Sequence, residues 1–369
     1  MNILAVAPNF GFGPVSKLVA IVNALIERTE DTITVVLSGN ALQFAKINIK
    51  NERVTFVNIN LETVTPEWML EMSRDFDVLL NVMHFEVQDS IASLEKDYFG
   101  TKIFVDSLNW LWNEKIVGIE KNDVYFAQKY EARKGVLPKN AIQVDDIVSI
   151  PYVNQGKVDV DQILVNVAGI ILPGNGNSKD TQFMKTYIQF WIDCLSEIAL
   201  QNNKSMKVIL AVNEAQKRLN FKISDGVNLS LQCFSHQDFI ETALSSGVIF
   251  STPGLTFRNE SNMLNLPVHY LLPSNYSQAL LLEDYVNNGS LGLNFKRFGN
   301  QYEIKFGLEE MEGVRQVRQN VTRLMDQKET IINQMIDWMK VPATNKQREI
   351  KSVVSTGAYE IVDYITTRY

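Results

Sequence analysis

The chain opens on a short apolar run, Asn2–Ala7, followed by Pro8-Asn9-Phe10-Gly11-Phe12-Gly13-Pro14 and then by Leu18, Ile21, Val22 and Leu25 between Ser16 and Glu27. A short unbroken apolar run has the character of a strand buried on both faces, and recurrence at three and four residues marks one face of a helix. Ser16 is placed to cap that helix. Further strand-like runs follow at Thr32–Leu37, Val54–Asn58, Asp77–Met83 and Lys102–Asp106, separated by helical or turn segments. This order predicts a parallel sheet with crossover helices, a Rossmann-like N-terminal domain. From Asp123 to Val153 the pattern is irregular, and Asn154-Gln155-Gly156-Lys157 reads as a hinge. Strand, glycine loop and helix then recur at Ile163–Leu172, Pro173-Gly174-Asn175-Gly176-Asn177-Ser178 and Thr181–Leu200. Lys207–Val212, Val227–Cys233, Val248–Phe250 and Val268–Leu272 continue as strands of a second α/β domain. Leu308–Met339 has Met311, Val314, Val317, Val321, Leu324 and Met325 on one helical face, Val341-Pro342 breaks that pattern, and Lys346–Thr367 predicts a last helix.

Bulk properties narrow the partners. A chain of 369 residues is natural for two α/β domains, and 46% hydrophobic residues suit a buried core. A net charge of -7 speaks against nucleic acid or an anionic membrane as the main partner. Cys194 and Cys233 are the two cysteines, too few for a disulfide framework or a thiolate metal site, and no metal-ligand cluster stands out. The N-terminus lacks a basic region, and no window reaches the ~20 apolar residues of a membrane span, so a cytoplasmic protein is expected.

The most informative stretch is Val248–Gln278, VIFSTPGLTFRNESNMLNLPVHYLLPSNYSQ. Pro253-Gly254 turns the chain after an apolar run, and a helix starting near Thr256 presents unpaired N–H groups suited to a phosphate. Glu260 lies about one turn in, within reach of a sugar hydroxyl on the same ligand. By itself this is also an ordinary β-turn-α-β unit. Gly254, Glu260, Pro267, Pro273 and Gln278 fall where the donor-site motif of GT-B glycosyltransferases puts its glycine, acid, two prolines and final glutamine. The segment resembles the UDP-glycosyltransferases and the MurG-type N-acetylglucosaminyltransferases. The resemblance implies that Gly254 and the helix start receive a diphosphate, Glu260 the ribose and Gln278 the sugar. Phe257 stands where the family carries a small hydroxyl residue, and Thr256, one position earlier, offers a hydroxyl instead. Pro253 and Ser277 also depart from the motif.

The same resemblance implies two Rossmann-like domains facing across a cleft, residues 1–156 for the acceptor and 157–341 for the donor, with a C-terminal helix in 342–369 crossing back to the first. It places Gly174 and Asn175 beside the donor phosphates, Phe234 and His236 near the nucleobase, and Asn9, Gly11 and Gly13 on the cleft. His236 could equally cap the helix after it. Gly11-Phe-Gly13-Pro-Val-Ser16 nearly spells a dinucleotide fingerprint, but Ser16 replaces its third glycine and Ser38-Gly39-Asn40 stands where its acid belongs. The first loop also lacks the catalytic His of the UDP-glycosyltransferases. His84 and Glu86 after one strand, and Asp106 and Trp110 after the next, lie at strand ends where open α/β sheets bind ligands. Asp106 is the candidate general base, with His84 either catalytic or structural and Trp110 either an acceptor contact or loop packing. The expected activity is transfer of a sugar from a UDP- or dTDP-linked donor to a small soluble acceptor such as a natural-product intermediate, by inversion, without a metal or other cofactor. A nucleotide-sugar 2-epimerase of the same fold and a non-catalytic nucleotide-sugar-binding protein are the rival readings.

Overall fold

In the computed structural model, which describes residues 1–111, 116–151, 153–154, 157–170, 178–201, 206–340, 349–350 and 353–368, the first apolar run becomes a central strand. The elements in order are β1 (Asn2–Val6), α1 (Gly13–Arg28), β2 (Thr32–Leu37), α2 (Gly39–Asn48), β3 (Val54–Asn58), α3 (Pro66–Met72), β4 (Val78–Val82), α4 (Phe85–Ser93), β5 (Thr101–Asp106), β6 (Val124–Gln128), β7 (Ala141–Val144) and β8 (Ser149–Ile150). Seven of these strands form one sheet in the order β3-β2-β1-β4-β5-β6-β7, and every neighbouring pair is parallel. Successive residues of a strand point to opposite faces. Ile3 and Ala5 accordingly join a core with Leu18, Ile21 and Val22 of α1, whereas Leu4 and Val6 join one with Met69 of α3 and Ile91 of α4.

The expected last helix over Lys346–Thr367 is shorter, Thr356–Thr366, because Glu349–Ile350 and Val353–Val354 pair as short strands before it. Two details of the first unit also differ from the sequence reading. Helix α1 starts at Gly13 with Pro14 in its first turn, so Ser16 lies inside it and donates its backbone N–H to Phe12 O at 2.8 Å. Proline's fixed φ favours the first turn, where its missing N–H costs nothing. The irregular stretch after Asp123 contains two more strands of the sheet. All five residues of β6 are buried, so no alternation shows, and β7 is a short edge strand with Ile142 and Gln143 exposed.

The second unit, Pro151–Ser352, contains β9 (Val153–Asn154), β10 (Asp159–Asn166), α5 (Ser178–Gln201), β11 (Lys207–Ala211), α6 (Glu214–Lys217), β12 (Asn228–Gln232), α7 (His236–Ser245), β13 (Ser246–Ser251), α8 (Leu255–Met263), β14 (Val268–Tyr270), α9 (Tyr276–Asn287), α10 (Glu310–Met325), α11 (Lys328–Met339) and β15 (Glu349–Ile350). Its sheet runs β12-β11-β10-β13-β14, again parallel throughout. β9 and β15 pair antiparallel as a separate two-stranded sheet. The chain then returns to the first unit through β16 (Val353–Val354), paired with β8, and α12 (Thr356–Thr366), which packs on α1. Arg28 joins the two helices by pairing with Asp363 and lying 3.9 Å over the Tyr359 ring, and Tyr359 donates to Glu27 at 2.6 Å. Gly357 is needed there, because a Cβ would come within 2.2 Å of Asp145 O.

His269 of β14 is 7% exposed and lies between Phe250 of β13 and the stacked indole of Trp338 on α11. Burial pushes its pKa down to about 4. The fold therefore accepts the neutral ring. Its contribution to stability is present above the unfolded value of about 6.5 and is lost as pH falls toward 4, about 3 kcal/mol in all. Chemical denaturation at pH 7 and pH 4 is expected to show wild type losing that much more than His269→Gln, which cannot titrate.

Candidate functional site

In parallel sheets every strand-to-helix turn leaves from the same edge, so the second unit gathers its loop residues at the C-terminal ends of β10 to β14. After β13, Thr252 donates its N–H to Asn166 O at 2.9 Å, which holds the turn against the end of β10. Gly254 is the N-cap of α8. It has an extended backbone with φ -158 and no side chain to cap the first turn, and that turn carries no acid. The amides of this turn and the helix dipole are thus available to an anion. A Cβ on Gly254 would meet nothing within 4 Å. Neither backbone angle nor packing requires glycine at this position, and the space is open in front of the helix. Thr256 projects from the same turn, and its Oγ is shut off from solvent without a hydrogen-bond partner among the described residues.

Glu260 follows about one turn later, 4% exposed. Its Oε1 lies 2.9 Å from His236 Nε2, at the first residue of α7. Ser235 is the N-cap of that helix, accepting from Asp238 N at 3.1 Å, so His236 does not cap α7. Burial opposes a charged imidazole, but the charge and hydrogen bond of Glu260 outweigh it and hold the His236 pKa above its ordinary value. Phe234, half-buried, meets Phe239 edge to face, and Phe239 meets Phe257 of α8 in the same way. This aromatic cluster joins the α7 and α8 turns.

Gln278 lies in the first turn of α9, where its N–H bonds to the N-cap Asn275 at 2.9 Å. Its Oε1 accepts from Ser274 N and Ser274 Oγ at 2.8 and 2.9 Å. The carbonyl end of the amide therefore fixes the loop, and its NH2 end has no partner among the described residues. Gly174 and Asn175 lie outside the described residues. The start of their loop is anchored by Asn213 and Gln216, which donate to the carbonyls of Val167, Ala168 and Ile170. These two form a capping box on α6. The Asn-x-x-Gln spacing was the signal that could have marked them.

In the first unit, Asn9 accepts from Ala41 N at 3.2 Å and so caps α2 from outside. Gly11 has φ 65, and Gly13 is the first residue of α1. Asp106 is fully buried, with Oδ2 accepting from Tyr125 OH at 2.6 Å and Oδ1 from Leu108 N at 2.7 Å. Burial, together with this carboxylate, raises the Tyr125 phenol far above its usual range. Trp110 is 1% exposed and stacks on Tyr130 at 4.9 Å, in agreement with loop packing. His84 follows Met83, whose φ of 58 is uncommon for a side chain of that size. Asn81 clasps the turn, accepting from His84 N at 2.9 Å and donating to His84 O at 3.0 Å. The ring's Nδ1 lies 3.1 Å from Glu86 Oε2, and this neighbour holds the Glu86 carboxyl below its ordinary value. The sequence candidates thus meet as two pairs, His236 with Glu260 in the second unit and His84 with Glu86 in the first. Among the described residues no group of three His, Cys, Asp or Glu could hold a metal ion, and no helix is long and apolar enough to cross a membrane.

No protein-family model matches the sequence, and no curated protein matches it. Solved structures do match over the whole length. UDP-GlcNAc 2-epimerase from Neisseria meningitidis, bound to UDP-GlcNAc, aligns with a TM-score of 0.53 at 14% identity, covering 100% of each chain. The spinosyn forosaminyltransferase SpnP aligns at 0.52 and 12% identity, covering 100% of this chain and 99% of its own. UGT89C1 from Arabidopsis thaliana, complexed with UDP, aligns at 0.52 and 10% identity over the same shares. The fold is of the GT-B type. Identities this low carry the fold alone, and both glycosyltransferases and 2-epimerases have it.

The ion pair between α7 and α8 has a pH signature. Because the folded pKa of His236 is raised, its stabilisation is full below the unfolded value of about 6.5 and is lost as pH rises through the folded value. Denaturation of wild type and His236→Gln is expected to show the larger difference at pH 6 and a smaller one at pH 9.

Proposed function

We propose that the second unit binds the nucleoside diphosphate of a nucleotide sugar and that the protein transfers the sugar to a small soluble acceptor with inversion. The observation that carries this reading is the turn from Thr252 to Glu260. An uncapped helix N-terminus, open space at Gly254 and an unpartnered Thr256 hydroxyl stand one turn from a buried carboxylate. The amides would take the diphosphate and stabilise the charge that grows on it as the sugar leaves. The Thr256 hydroxyl, shut off from solvent in this structure, would join them once its side chain turns outward. Glu260 would hold the ribose, and the Gln278 NH2 group the sugar hydroxyls. Structural neighbours bound to UDP-GlcNAc and UDP support a ligand of this class. In the GT-B resemblance the donor diphosphate rests on this glycine turn, with Gly174 and Asn175 beside it.

A base must take the acceptor's proton. Each Asp106 oxygen already accepts a hydrogen bond from the protein, so in this reading the role passes to His84, beside Glu86. The 2-epimerase reading has equal support from the fold. It shares the donor site and differs in product, a C2-epimer of the nucleotide sugar instead of free nucleoside diphosphate.

Calorimetry with UDP, dTDP, GDP, ADP and CDP tests the donor site. One of them is expected to bind wild type, and Gly254→Val, which fills the open space, is expected to lose at least tenfold in affinity with unchanged thermal stability. No binding by any diphosphate would end the nucleotide-sugar reading. With the matching sugar donor, His84→Gln is expected to lower turnover by about 100-fold or more, the scale of general-base catalysis, while nucleotide affinity stays the same. Unchanged turnover would remove His84 from the reaction.

A further inference from the structure

We propose that His236 makes the donor site indifferent to the ribose 2′-hydroxyl, so that the protein takes ribo- and 2′-deoxyribonucleoside diphosphates with similar affinity. This rests on the reading of Glu260 as the ribose-binding residue. A buried carboxylate whose hydrogen-bond donors come from the ligand discriminates sharply, because a ligand that lacks one hydroxyl leaves a buried acceptor unpaired. Glu260 is not in that position. It is 4% exposed, but Oε1 is met by His236 Nε2 at 2.9 Å, a contact made within one unit.

The pair is built into the framework. His236 is held at the start of α7 by the Ser235 cap, while the Phe234, Phe239 and Phe257 rings pack α7 against α8. Oε2 of Glu260 has no hydrogen-bond partner among the described residues and remains for one ribose hydroxyl. A ribonucleotide and its 2′-deoxy counterpart can each supply that single bond through the 3′-hydroxyl. Absence of the 2′-hydroxyl then costs one exposed interaction at most and strands no buried oxygen. His236 is a specificity-determining residue in this scheme, acting through Glu260 and not through the reacting atoms.

Calorimetry with the pairs UDP and dUDP, GDP and dGDP, ADP and dADP, and CDP and dCDP provides the test. For the pair that binds, wild type is expected to hold both members within about tenfold, the scale of one net hydrogen bond. His236→Leu removes the built-in partner, and its preference for the ribonucleotide is expected to widen to on the order of 100-fold. His236→Gln, which keeps a donor near the same place, should restore the narrow ratio. General damage to the site would weaken both members of a pair alike and leave the ratio where it was. A ratio near 100-fold in wild type, or one that His236→Leu does not change, overturns the inference while leaving the diphosphate site intact. If no pair binds, the donor-site reading itself falls and this inference with it. Should His236→Leu fail to fold, the wild-type ratio decides, with a wide ratio overturning the proposal and a narrow one supporting it.

Discussion

Parallel pairing is the constraint on which everything else depends. Two neighbouring parallel strands cannot be joined by a tight turn, so the chain must cross back, usually through a helix, before each new strand. Every pair in the two large sheets is parallel. Within each of the two large sheets, all strand C-termini therefore point to one edge. That brings Asn213, Ser235, Gly254 and Ser274 to the same edge of one sheet although as many as sixty residues separate them in the chain. It also explains why the central strands β1, β4, β5 and β13 are buried almost along their whole length, since helices cover both faces of such a sheet.

Inside this framework two buried carboxylates show how burial divides labour. A buried charge is tolerated only when it is paired or well hydrogen-bonded. Asp106 meets the requirement with a phenol and a backbone amide, one on each oxygen. Glu260 meets it with a single imidazole on one oxygen. The first carboxylate is internally satisfied and ties β5 to β6. The second is paired with His236 through one oxygen and retains the other for a ligand. The difference comes from what the adjoining turn supplies, not from the carboxylate itself.

The alternation of buried runs and helical spacing was enough to read the α/β class, the first strands and the second strand-loop-helix start, because side-chain period follows directly from backbone geometry. β6 and β7 were not legible in it. A strand buried along its whole length shows no alternation, and a four-residue edge strand is too short to establish a period. The start of α1 was also misplaced, since a serine at a plausible cap position competes on paper with a proline whose preference lies one turn earlier.

For the site, the sequence by itself determined the residue types and their spacing along one segment, Gly254, Thr256, Glu260 and Gln278, because a turn, a helix start and an acid one turn later are local features. Pairings across segments belong to the tertiary structure. Only the parallel pairing of the sheet puts the C-terminal ends of β12 and β13 on the same edge, and the α7 and α8 turns then bring His236 to Glu260 over twenty-four residues. Only packing decides that Asp106 is enclosed, that Asn9 caps α2, and that His269 is held neutral between two aromatic rings. Chemistry at a residue is written in its side chain, but whether that side chain is free to act depends on which partners the fold brings within about 3 Å of it.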